Sequence, residues 1–136
     1  MSPRIACVVI IAKMALENGS LDGNEGVFLD RMCARLGLER AKVEAAAREH
    51  RLAEVLEAVV TEPDRHVIAF HAYMMAKVDG EVDDWERGLY DIILSLLEIS
   101  PEDQRAIEGW AHQVIQGGGM PQEFSRVVAA SSFKGM

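Results

Sequence analysis

The chain contains one stretch twice. MALENGSLDGNEGVFLDRMCARL, residues 14–36, aligns without a gap on MAKVDGEVDDWERGLYDIILSLL, residues 75–97, at an offset of 61 residues. Met14, Ala15, Gly19, Asp22, Glu25, Asp30 and Leu36 recur as Met75, Ala76, Gly80, Asp83, Glu86, Asp91 and Leu97, with Asn18 opposite Asp79 and Leu21 opposite Val82. Each copy reads as the end of an apolar helix, a short acidic turn and the start of another helix. One such hairpin cannot bury its own apolar face. Two are therefore expected to pack together as helix-turn-helix units related by a pseudo-twofold axis.

The rest of the chain extends this helical pattern. Residues 4–17 are almost continuously apolar and lack turn signals, which predicts a buried helix. Helical spacing of Phe28, Leu29, Met32, Cys33 and Leu36 predicts a second over 22–36, stopped by Gly37. Residues 39–60 predict two short helices bent near His50 and Arg51. Pro63 marks the next boundary, and helices are expected over 64–78 and 84–98. Ser100 is placed to cap a further one, with Pro101 at its first position. Gly117 to Gly119 end that helix, a last one spans about 121–130, and SSFKGM is expected to fray. No segment alternates strictly between apolar and polar, so the fold class is all-α: a single-domain bundle of seven or eight helices. The domain spans 1–130, with repeat halves of 4–60 and 64–116, and 131–136 form a tail.

Composition supports one globular domain, since 136 residues with 49% apolar content and four prolines suffice for a core without staples. A net charge of −8 disfavours nucleic acid and anionic lipid, and no Lys/Arg cluster offers a local exception. Cys7 and Cys33 sit in apolar helical patterns without metal-ligand spacing and read as core thiols. Lys13 interrupts the apolar N-terminal run, no small-residue cleavage site follows, and no run is long enough to span a bilayer. A cytoplasmic protein without membrane insertion is expected.

The two turns resemble those of the tellurite-resistance TerB-like domain family, whose hairpins carry an M-A-x-x-D-G-x-[VL]-x-x-x-E pattern. MAKVDGEVDDWE matches it, and MALENGSLDGNE departs from it with asparagine at the first aspartate. The order of apolar helices is similar over nearly the whole chain. The resemblance implies a helical bundle in a bacterial cytoplasm, with roles in stress response, metal or tellurite tolerance and membrane-associated protein assemblies. It implies no reaction.

The acidic turns have two readings. In one they are capping boxes: Asp22 and Asp83 accept from amides of the first turn, and Glu25 and Glu86 reach back to the cap. In the other, Asp79, Asp83 and Glu86, joined by Asp22 and Glu25 if the hairpins face each other, pool oxygens for a divalent cation such as Ca²⁺, Mg²⁺ or Zn²⁺. An EF-hand is excluded because its earlier ligand positions fall on Met75 and Lys77, and on Met14 and Leu16. His71 is expected in the core or at an interface, and His66 and His71, five apart, point in different directions. The methionines read as core fillers, and Trp85 as an interface marker. With no nucleophile–base pair, P-loop, HExxH or Glu-x-x-His, no enzyme is expected. The expected function is cation or protein binding at the acidic surface, with a protein partner, a membrane-associated stress-response assembly or a second copy of the chain as partner. The alternative is an interaction or oligomerisation module whose turns only cap helices.

Overall fold

A computed structural model of the chain describes residues 1–17, 23–77 and 84–135, with side chains for 1–16, 26–77 and 87–135. The described residues form eight helices and no strand: α1 (Pro3–Glu17), α2 (Gly23–Leu36), α3 (Arg40–Glu49), α4 (Leu52–Leu56), α5 (Glu62–Lys77), α6 (Asp84–Leu96), α7 (Pro101–Ile115) and α8 (Gln122–Ala129). The fold is the expected all-α single domain.

Helices α1 and α5 are the two whose apolar residues run around most of the helix, and they occupy the middle. Every residue of α1 from Ala6 to Ala12 is buried, as are Val67 to Phe70, Ala72 and Tyr73 of α5. Burial on all sides requires neighbours on all sides. Helix α1 packs on α2, α3, α4 and α5, while α5 packs on α1, α6, α7 and α8. Lys13, the charge in α1, reaches out of this core to donate from Nζ to the Ala47 carbonyl at 2.7 Å, near the end of α3. It thereby meets an orphan acceptor and the negative end of that helix. Cys7 and Cys33 are buried free thiols, and burial pushes both up from the ordinary thiol value.

The duplication is visible in how two helices end. Gly37 has φ +66°, its amide donates to Ala34 at 3.3 Å, and the Leu38 amide donates to Cys33 at 2.9 Å. At the same offset of 61 residues, Glu98 has φ +57°, its amide donates to Ser95 at 3.1 Å, and the Ile99 amide donates to Leu94 at 3.0 Å. Both are Schellman termini closing the last carbonyls of α2 and α6. Glu98 is the only non-glycine residue with positive φ among those described.

Pro63 marks the start of α5, as expected: the helix begins at Glu62, so the proline lies inside its first turn, where a missing N–H costs nothing. The tail differs from expectation, being docked and not frayed. Asp64, 2% exposed, accepts from the Ser132 amide at 2.6 Å and from the Ser132 hydroxyl at 2.7 Å. Arg4 donates to the carbonyls of Ser132 and Lys134 at 2.6 and 2.7 Å, and Phe133 is 1% exposed. His71 is half-buried against the core: its Nδ1–H donates to the Val67 carbonyl at 2.9 Å, with Phe70 and Phe133 against its ring. Burial lowers its proton affinity. Met14, Met32 and Met75 are core residues, whereas Met120 is exposed.

Candidate metal centre

Helix α6 carries the chain back, so α5 and α7 run parallel, and two contacts show it: His66 faces Asp103 near the start of each helix, and Tyr73 faces His112 further along. Both helices open on a hydroxyl cap followed by an aspartate three residues later. The Ser100 hydroxyl accepts from the Asp103 amide at 3.1 Å, as the sequence predicts, and the Thr61 hydroxyl accepts from the Asp64 amide at 3.4 Å. In a capping box each aspartate would turn back onto its own cap. Here Asp64 is taken by Ser132 and Asp103 is aimed at the neighbouring helix.

Asp103 Oδ2 lies 3.4 Å from His66 Nε2, and Glu62 Oε1, one turn earlier on α5, lies 3.8 Å from the same nitrogen. Both separations exceed an ordinary N–H···O hydrogen bond. The three ligand atoms lie within 4.8 Å of one another. Tetrahedral bonds of about 2.0–2.1 Å imply ligand–ligand spacings of about 3.4 Å. His66 and Asp103 have that spacing already. Glu62 needs a small rotation, which its exposed side chain permits: exposures are 12% for His66, 45% for Asp103 and 77% for Glu62. One imidazole and two carboxylates suit Zn²⁺, Mn²⁺ or another first-row cation better than an all-oxygen ion such as Ca²⁺. The paired helix starts bring positive dipole ends beside the site, which weakens the hold on a cation.

The other Glu-x-x-x-His pair, Glu108 and His112, is already engaged. The Tyr73 hydroxyl meets His112 Nε2 at 2.9 Å, and Glu108 accepts from Gln104 at 2.7 Å and from the Tyr90 hydroxyl at 3.2 Å. Beside Glu62 and His66 a groove of about 490 Å³ runs past Trp110, Glu123 and Arg126.

Asp22, Asp79 and Asp83 lie outside the described residues, and the side chains of Glu25 and Glu86, in the first turns of α2 and α6, do too. The cluster that is described contains none of these five. The five-residue spacing of His66 and His71 gives no hint of a site at His66. The available signal was Glu62, four residues earlier on one helical face. No family model, curated protein or solved structure matches the chain. No described helix is long and apolar enough to cross a membrane.

Proposed function

We propose that the protein is a non-catalytic accessory module of the TerB-like kind, working in the bacterial cytoplasm in stress, metal or tellurite tolerance. It acts by holding a divalent cation and presenting the loaded surface to a protein partner, including one in a membrane-associated assembly. The observation that carries the reading is the convergence of Glu62, His66 and Asp103 from two adjacent helix starts, with ligand atoms within 4.8 Å. Three protein ligands leave further positions for water or for a carboxylate from the partner. Because the imidazole must be unprotonated to bind, acid competes with the cation.

Thermal melts with Zn²⁺, Mn²⁺, Mg²⁺ and Ca²⁺ test this. A stabilisation of about 2.7 kcal/mol is expected at a cation concentration one hundred times Kd. His66→Ala and Asp103→Asn should abolish it, and Asp79→Asn with Glu86→Gln should leave it unchanged. If instead the turn variant alone abolishes the response, the cation belongs to the acidic turns; no response to any ion removes the cation reading.

A second reading, an interaction module without a cation, rests on Ile92 and Leu96, one turn apart on α6 and 52% and 44% exposed. In that case sedimentation shows an oligomer indifferent to chelator.

A further inference from the structure

A second cavity, of about 490 Å³, lies on a different side of α5, between α2, α5, the end of α7, α8 and the docked tail. Its size falls within the usual range for a small-molecule site. The walls are aromatic and aliphatic. Phe70 and Phe124 pack ring to ring at 4.0 Å, and Phe133, held in place by the Asp64–Ser132 clasp, closes another wall. Met74 and Met120 add deformable surface. His71 is the polar group of the interior, and it is neutral there because burial opposes its protonation.

The charge at this cavity is all of one sign. Arg31 and Arg35, one turn apart on α2 and both exposed, line it, and among the described residues no carboxylate lines it. Among the described residues neither guanidinium has an ion-pair partner, although the chain carries 22 acidic against 14 basic residues. Arg40, on the neighbouring α3, by contrast pairs with Asp30 and Glu44. Two cationic forks beside a partly open apolar chamber match a ligand with an anionic head and a hydrocarbon body. Guanidinium groups suit a carboxylate in particular, through paired N–H donors.

We propose that this cavity binds a medium-chain fatty carboxylate, with its chain lying against the wall formed by Phe70, Phe124 and Phe133 and its headgroup on Arg31 and Arg35. Trp110 reports on occupancy, since its ring stacks on Phe124 at 5.4 Å.

Titrating the protein with decanoate below its micellar concentration, read by tryptophan fluorescence and calorimetry, tests the proposal. Saturable one-to-one binding is expected, tightening about threefold to fourfold per methylene from octanoate to decanoate. Arg31→Gln with Arg35→Gln should weaken decanoate by tenfold or more while leaving decanol unchanged, and the double lysine variant should recover part of the loss. These exposed positions permit folding, which a melt verifies. Decanol and decanoate binding equally to the wild type, or decanoate binding equally to wild type and glutamine variant, overturns the headgroup assignment. No saturable binding overturns the site. Phosphatidylglycerol vesicles separate a free ligand from a lipid surface: binding to vesicles without binding to decanoate also overturns the proposal.

Discussion

Replacing Asp64 with alanine tests whether the tail is part of the fold. The carboxylate accepts two short bonds from Ser132, at 2.6 and 2.7 Å, in a setting where Asp64 is 2% exposed. Hydrogen bonds to a charged group contribute about 1.5–3 kcal/mol each, and a buried donor left without an acceptor costs about 1–3 kcal/mol. The loss has a ceiling, however, because the tail can undock and let its donors meet water. Undocking forfeits the burial of Phe133, about 2–3 kcal/mol, together with the two Arg4 contacts. The expected cost of Asp64→Ala is therefore about 3 kcal/mol, or a melting temperature lower by about 10 °C for a domain of this size. Asp64→Asn keeps one acceptor oxygen and should cost about 1 kcal/mol. Urea denaturation gives the free energies, and native-state hydrogen exchange should show the Ser132 amide losing protection in the alanine variant. Phe133→Ala breaks the same clasp, so the double variant should cost much less than the sum of the two. A loss below about 0.5 kcal/mol for Asp64→Ala with Ser132 protection unchanged would refute the reasoning.

Two further outcomes follow from backbone and titration. Gly37→Ala should destabilise by about 1 kcal/mol from backbone strain alone, since an added Cβ meets nothing within 4 Å. At the equivalent position Glu98→Gly should stabilise by about 0.5 kcal/mol, the relief of a left-handed residue less the greater chain entropy of glycine; urea midpoints that move in the same direction for both variants contradict this. His71 holds its proton less tightly folded than unfolded, so stability contributed above the ordinary histidine value of 6.5 is lost as pH falls below it. His71→Leu should flatten that part of the urea-stability profile, and an unchanged acid slope would show that another group is responsible.

What could be read from the letters was local. Ser100 and Pro101 announced α7, and Gly37 announced the end of α2, because caps and left-handed residues act within a few positions. Pro63 announced the start of α5, because proline is tolerated in a helix's first turn. The tail is not legible in this way. SSFKGM has a loop's composition, and its partners, Asp64 and Arg4, are 68 and 128 residues from Ser132, a pairing no local pattern encodes. His66 and Asp103 were equally hidden until α5 and α7 were laid side by side in the same direction. Of the five acidic turn residues singled out from the sequence, Asp22, Asp79 and Asp83 and the side chains of Glu25 and Glu86 lie outside the described part of the structure, and their role rests on the cation titrations.

The Asp64–Ser132 clasp also has a thermodynamic corollary. Asp64 sits in the same first turn as Glu62 and two residues before His66, while Ser132 leads directly into Phe133, a wall of the Arg31 and Arg35 chamber. If a cation at Glu62 and His66 and a carboxylate in the chamber both favour the shut latch, linkage obliges each to alter the other's affinity by an identical factor. Measuring decanoate binding with and without saturating Zn²⁺, then the reverse, reads that factor twice, and its absence would mean the latch stays shut throughout.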